Sequence, residues 1–105
     1  MIVCKFGGSS VADTSQIGKV KRIVELDRAR SFVVVSAPGK RTKEDDKITD
    51  LLYRCHEEAA GGKSYTETFS KIRERFQEIA SGLGAEGSID AELDEVERRI
   101  GEEKS

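Results

Sequence analysis

The alternation of apolar and polar positions divides the chain into two short strands and four helices. Apolar runs at residues 2–4 and 32–35 stop at glycines or at Pro38, which is typical of short buried strands. Between them, Asp13 and Gln16 form a helix-start signature, and the apolar stripe that follows consists of Ile17, Val20, Ile23 and Val24. The order strand, loop, helix, strand predicts a βαβ unit with two parallel strands.

Three further amphipathic helices are predicted after the second strand. Their apolar positions recur at helical spacing, and they are Ile48, Leu51, Leu52, Cys55 and Ala59, then Tyr65, Phe69, Ile72, Phe76 and Ile79, then Ile89, Leu93, Val96 and Ile100. Glycines and capping residues mark their boundaries, and these are Gly61 and Gly62 after the first helix, Ser64 with Glu67 and Gly82 or Gly84 around the second, and Ser88 and Gly101 around the third. The charged residues 40–47 predict a mobile loop.

The predicted structure has too few strands for its helices, because it contains four half-buried helices and only two strands. Parallel sheets normally have several strands and are covered on both faces. We therefore expect these 105 residues to be the opening portion of a larger α/β domain.

Composition narrows the class of protein. Charged residues and hydrophobic residues each make up 36% of the chain, which indicates a well-solvated chain with a modest core. The apolar runs are too short for a leader or a membrane span, so a cytoplasmic protein is expected. Cys4 and Cys55 are far apart and lie in no metal-binding pattern, which favours two buried, reduced thiols over a disulfide or a zinc site.

Charge is distributed unevenly along the chain. The net charge is −2, which gives no general attraction to nucleic acid or to a membrane. Residues 1–43, however, carry nine Lys and Arg against three acidic residues, whereas residues 44–105 carry nine against seventeen. An anion is therefore expected in the first half, unless both halves are simply solvated helix faces.

The hexapeptide from Lys5 to Ser10, KFGGSS, holds the most informative chemistry. Glycines at the end of a strand let backbone N–H groups approach a phosphate, and a lysine there can neutralise charge on a transferring phosphoryl group. The hexapeptide is neither a Walker A loop nor a GxGxxG fingerprint. From these residues alone, a structural turn with a solvated lysine remains an alternative to a phosphate site.

Two segments resemble the aspartokinase family. KFGGSSVAD, residues 5–13, is similar to the N-terminal signature of that family, and its Lys-x-Gly-Gly core is shared across the amino acid kinase superfamily. VVVSA, residues 33–37, with Gly39 and the later TDLL, residues 49–52, is similar to the second strand and following helix. Pro38 and a longer charged insertion before Thr49 depart from the family pattern.

The resemblance implies a fold and an activity. The fold would be α/β, the opening portion of a three-layer αβα sandwich like that of carbamate kinase, with residues 1–59 as a βαβα part and 60–105 as a helical segment. The activity would be ATP-dependent phosphorylation of the L-aspartate β-carboxylate to 4-phospho-L-aspartate, with Mg2+ carried by the nucleotide. A homo-oligomer is compatible with this family, and the rest of the kinase domain and the regulatory ACT domains are expected to lie outside this chain.

The resemblance also assigns residues. Lys5 would contact the transferring phosphoryl group, and Gly7, Gly8 and Ser9 would bind ATP phosphates. The substrate-binding residues would be Ser36 and Thr49, with Thr42 as an alternative to Thr49 because it is nearer to Gly39. No metal-ligating residues are assigned.

Two other functions stay open at this stage. Another member of the amino acid kinase superfamily would share the Lys-x-Gly-Gly core, and a non-enzymatic module could use the βαβ part as a scaffold for helices that bind a partner. His56 is expected at the surface, and the acidic run at residues 44–46 is expected to be a solvated loop rather than a cation site. The isolated chain is expected to have little or no activity.

Overall fold

The computed structural model describes residues 1–102, which fall into two compact units that meet in sequence at Ile48 and Thr49. The first unit contains strand β1 (Val3–Phe6), a short 3₁₀ helix (Gly8–Val11), helix α1 (Thr14–Glu25) and strand β2 (Phe32–Val35). Helix α2 (Ile48–Ala60) begins at the last residue of this unit. The second unit contains the rest of α2 together with α3 (Thr66–Gly82) and α4 (Asp90–Glu102).

The two strands are parallel, as the βαβ pattern predicts. Val3 pairs with Phe32 and Phe6 pairs with Val35 in an uninterrupted register. The prediction that both strands are buried is wrong, since all four residues of β2 are exposed and Val3 is 61% exposed. Within the described residues this sheet has only two strands, so too few neighbours are present to cover its apolar side chains.

Helix α1 begins where the capping signature places it. The Asp13 carboxylate accepts a hydrogen bond of 2.9 Å from the backbone N–H of Gln16, which satisfies one of the donors that a helix start leaves without an intrahelical acceptor. None of the residues of α1 is fully buried.

The start of α3 differs from expectation. Tyr65 occupies the N-cap position without a side-chain cap hydrogen bond, and the Ser64 hydroxyl accepts only a long hydrogen bond, 3.4 Å, from the backbone N–H of Thr66, so the expected cap by Ser64 with Glu67 is not formed. Helix α4 is described as far as Glu102, one residue past Gly101, so Gly101 lies in its last turn, close to the expected end; the expected fraying of residues 103–105 lies outside the described residues. The end of α3 at Gly82 and that of α2 at Ala60, just before Gly61, agree with the prediction.

The second unit holds the large buried side chains. Leu51 and Cys55 of α2 and Phe69 and Ile72 of α3 are almost fully buried, as their helical spacing predicts. Leu93 is the buried residue of α4, whose other predicted core positions are half-buried or exposed.

Arg73 connects α3 to α4. Its guanidinium lies 2.9 Å from a carboxylate oxygen of Asp94 and 3.1 Å from one of Glu97. The same group lies 5.5 Å from the centre of the Phe69 ring, within the distance at which a cation is attracted to an aromatic face.

Candidate phosphate-binding site

The carboxyl ends of the two parallel strands bring two sequence motifs to one edge of the sheet. The backbone N–H of Ser36, just after β2, donates a 3.0 Å hydrogen bond to the carbonyl of Phe6 at the end of β1. The glycine loop after Phe6 and the segment after Ser36 therefore start side by side. This edge of a parallel sheet is where α/β proteins commonly bind their ligands.

Lys5 lies on β1 opposite Val34 and is exposed. It shares the more exposed face of β1 with Val3, while Cys4 and Phe6 are half-buried. Among residues 1–102, no carboxylate lies within ion-pair distance of the Lys5 ammonium. Its positive charge is therefore available to an anion.

Gly7 and Gly8 shape the loop that follows Lys5. Gly7 is extended, with φ −74° and ψ 176°, and no heavy atom lies within 4 Å of the position that a Cβ atom would take. Its carbonyl accepts a 3.1 Å hydrogen bond from Ser10 N–H, which closes the first turn of the 3₁₀ helix. The N–H groups of Gly8 and Ser9 are the first two of this turn, so they have no hydrogen-bond acceptor within it.

The glycine loop does not lead directly into the N-terminus of α1. The 3₁₀ turn stands between them, and α1 starts only at Thr14. Because the Asp13 carboxylate already caps that helix start, a second anion there would meet a negative charge. Donors for a phosphate must therefore come from the loop itself.

Gly39, from the segment after β2, packs directly against this loop. Its backbone N–H donates a 2.8 Å hydrogen bond to the carbonyl of Gly8. A Cβ atom on Gly39 would lie 2.8 Å from the carbonyl carbon of Gly8 and 3.0 Å from the nitrogen of Ser9. The sequence identified Gly39 as part of a family motif but not as a contact of the glycine loop.

The predicted substrate residues fall in different units. Ser36 is exposed at the end of β2 in the first unit, beside Phe6. Thr49 is exposed in the first turn of α2, in the second unit. It lines an open groove of about 370 Å³ together with Leu52, Tyr53 and His56, and most of that lining is apolar.

Arg41 and Asp45 form an ion pair within the charged loop before α2. The Arg41 guanidinium donates to both carboxylate oxygens of Asp45, at 2.7 and 3.1 Å, and the Arg41 backbone N–H donates to the same carboxylate. Thr42, the alternative substrate residue, is exposed in this loop, and its backbone carbonyl accepts a hydrogen bond from the Asp45 N–H. Within residues 1–102, no group of three His, Cys, Asp or Glu side chains is placed to hold a metal ion.

The two cysteines are free thiols in different environments. Cys55 is fully buried, as predicted, and burial, with a smaller effect from the nearby Glu58 carboxylate, raises the pKa of its thiol to about 11. It is therefore protonated at neutral pH and unsuited to act as a nucleophile. Cys4 is only half-buried, so the prediction of burial holds for one thiol and not for the other.

The chain is similar to known aspartokinases. No protein-family model matches it. It is 48% identical to aspartokinase 3 of Bacillus subtilis (strain 168) over 89 residues, which are 85% of this chain and 20% of that protein. Over 89 residues it is also 38% identical to an aspartokinase of Chlamydia muridarum (strain MoPn / Nigg), covering 85% of this chain and 18% of that protein.

The fold agrees with the sequence relationship. The crystal structure of Clostridium acetobutylicum aspartate kinase, described as an important allosteric enzyme, superposes on all of this chain and on 24% of that protein, with a TM-score of 0.95 and 43% sequence identity. Within residues 1–102, no helix is both long and apolar enough to cross a membrane. The chain spans about a fifth of the length of the curated relatives it matches, and in both sequence and fold it is similar to that part of the aspartokinases.

Proposed function

We propose that the chain forms the N-terminal part of an aspartokinase, which transfers a phosphoryl group from ATP to the β-carboxylate of L-aspartate. The product would be 4-phospho-L-aspartate, in the first step toward lysine, threonine and methionine. The observation that carries this proposal is the unpaired Lys5 beside a glycine loop, in a chain 48% identical to an aspartokinase. Residues 1–59 and 60–105 would both belong to the kinase domain.

The loop residues fit the oxygens of a polyphosphate. The Lys5 ammonium has no protein carboxylate partner among the described residues, and the space over Gly7 is open. The N–H groups of Gly8 and Ser9 supply donors without an intrahelical acceptor, and the Ser9 side chain is exposed. These groups would bind and orient phosphates and offset the charge of the transferring group. Positioning and charge stabilisation are the main contributions of a protein to phosphoryl transfer.

Ser36 and Thr49 are the residues proposed to hold aspartate. Hydroxyl groups can donate to the substrate carboxylates, and the accepting carboxylate is itself the nucleophile. A strong general base is therefore not required for the transfer, and the protonated Cys55 has no part in it.

The proposed cofactor is ATP with Mg2+. A magnesium ion bound by phosphate oxygens needs few protein carboxylates. When bound, it neutralises phosphate charge. We further propose that the complete protein is cytoplasmic and acts on ATP and L-aspartate rather than on nucleic acid or a membrane, and that it can form a homo-oligomer.

The 105-residue chain by itself is proposed to bind phosphate weakly and to have little or no kinase activity. Its sheet has only two strands in the described residues and leaves β2 exposed. It also matches only about a fifth of a relative's length. Substantial acyl phosphate formation by the purified chain, trapped with hydroxylamine, would contradict this part of the proposal.

Binding of magnesium tripolyphosphate, measured by calorimetry or by 31P NMR, tests the phosphate site. Lys5→Ala should weaken binding by about tenfold or more, because hydrogen bonds to charged groups contribute roughly 1.5–3 kcal/mol. Lys19→Ala is the matched control, since it removes the same charge from the exposed surface of α1. Equal affinities of the Lys5→Ala variant and the unchanged chain would exclude Lys5 from the site.

Two further measurements separate the alternative functions. In a complete protein carrying this chain, acyl phosphate formation with aspartate should exceed that with glutamate or acetylglutamate, whereas another superfamily member would prefer a different acceptor. A non-enzymatic module would neither bind tripolyphosphate nor respond to Lys5→Ala.

A further inference from the structure

Gly8 and Gly39 belong to different loops but meet backbone to backbone. The Gly39 N–H donates to the Gly8 carbonyl at 2.8 Å. In the other direction, a Cβ atom on Gly8 would lie 3.2 Å from the Cα and nitrogen of Gly39. Neither glycine has positive φ. Both are therefore explained by close approach and not by an unusual backbone conformation.

The segment that carries Gly39 is held in place from its other side. The carbonyl of Pro38 accepts a 3.1 Å hydrogen bond from the backbone N–H of Ile48. Pro38, Gly39 and Ile48 are all buried, and the proline ring restricts the backbone at its own position and before it. The backbone at Gly39 is therefore held in place on one side, and the glycine loop packs against its other side.

From this contact we infer that Gly39 is a positioning residue for the phosphate loop, setting where the N–H groups of Gly8 and Ser9 point. The inference rests on the proposed function, because it concerns the same phosphate site. Gly39 itself does not contact the phosphate through its N–H, since that group donates to Gly8.

The short distance between Gly39 and the backbone of Gly8 determines how far a substitution at Gly39 would displace the loop. A methyl group on Gly39 would lie 2.8 Å from the carbonyl carbon of Gly8, and reaching an ordinary contact distance would require a shift of roughly 0.7 Å. The atoms that meet the methyl group are backbone atoms of Gly8 and Ser9, which cannot rotate away as a side chain can. The shift therefore displaces the groups proposed to bind phosphate. In an active site, a displacement of about 1 Å can lower the reaction rate by a factor of about 100.

The test uses the whole 105-residue chain and compares Gly39→Ala with the control Gly18→Ala. Gly18 lies within α1 and has no heavy atom within 4 Å of its Cβ position. In 1H–15N spectra, Gly39→Ala should move the amide signals of Gly8 and Ser9 and leave those of α3 in place. Its affinity for magnesium tripolyphosphate should fall about tenfold or more, while Gly18→Ala should change neither property.

A merely structural role for Gly39 would lower the unfolding temperature but would leave the Gly8 and Ser9 signals and the affinity of the folded chain unchanged, and that result would overturn the inference. If the unchanged chain does not bind tripolyphosphate, the proposed function fails instead. If Gly39→Ala does not fold, Gly8→Ala takes its place, because its closest contacts are milder, at 3.2 Å. Gly8→Ala should shift the Ser9 and Gly39 signals and weaken binding, and a wild-type affinity for it would likewise overturn the inference.

Discussion

The hydroxyl of Tyr65, at the start of α3, occupies the space where a side chain on Gly101 of α4 would begin. A Cβ atom at Gly101 would overlap the Tyr65 hydroxyl oxygen and lie 3.4 Å from the ring carbon Cζ. The sequence pattern placed Gly101 at a helix end, and the structure places it in the last described turn of α4, where its missing side chain lets the two helices approach.

Gly101→Ala should therefore lower the free energy of unfolding. Overpacking costs about 1–3 kcal/mol, which exceeds the gain of up to about 1 kcal/mol from replacing glycine by alanine within a helix. In a Tyr65→Phe background the overlapping oxygen is absent, so the same substitution should be neutral or stabilising. Urea unfolding of the four chains in this cycle checks the coupling, and equal effects in both backgrounds would contradict the close contact.

Gly7→Ala should separate folding from phosphate binding. The backbone of Gly7 has ordinary negative φ and its Cβ position is open, so the unfolding free energy should change by no more than about 0.5 kcal/mol. The added methyl would occupy the space proposed for the phosphate. Tripolyphosphate affinity should fall by about tenfold, a change of roughly 1.4 kcal/mol, and unchanged affinity would show that the anion does not approach over Gly7.

Asp13→Ala should destabilise the first unit. The substitution removes the acceptor for Gln16 N–H at the start of α1, a loss typically worth about 1 kcal/mol. Asp13→Asn retains an acceptor oxygen and serves as the control. Urea unfolding followed by circular dichroism should give similar unfolding free energies for the unchanged chain and Asp13→Asn, and a lower one for Asp13→Ala. A loss of equal size in both variants would assign the effect to charge rather than to the cap.

Cys55 should make stability fall at alkaline pH. Burial raises the pKa of its thiol from 9.0 to about 11, so the folded chain keeps a proton that the unfolded chain releases. The contribution is complete below pH 9 and is lost as the pH rises through 11. Unfolding free energies measured across this range should decline more steeply for the unchanged chain than for Cys55→Ala, and parallel curves would contradict the effect of burial.

Thiol reactivity provides an independent check on the same environment. Cys4 is half-buried and Cys55 is fully buried, so a thiol reagent at neutral pH should modify Cys4 first and Cys55 only when the chain opens. Peptide mapping after a short reaction identifies the modified residue.

Much of the local structure was readable from the sequence because its causes are local. The Asp13–Gln16 pair marked the start of α1, and the glycines after Ala60 marked the end of α2. The spacing of Cys55, Phe69 and other apolar residues identified the buried faces of α2 and α3.

The candidate site was only partly readable. Lys5 and the glycines stood out because a strand followed by Gly-Gly is recognisable in one segment. Gly39 gave no signal of its role, since its neighbour Gly8 is distant in sequence and the two meet only through strand pairing. The alternation of polar residues likewise could not show that Arg41 and Asp45 form an ion pair within the charged loop.

By itself, the sequence determined the order of strands and helices, the parallel βαβ unit, the lysine and glycine loop, and the resemblance to aspartokinases. Only the tertiary structure decided that Gly39 packs against the glycine loop, that Gly101 makes room for Tyr65, and that β2 is exposed despite its apolar residues. The physical reason is that helix capping and apolar periodicity depend on near neighbours along the chain. Close approach and burial depend instead on which distant surfaces meet.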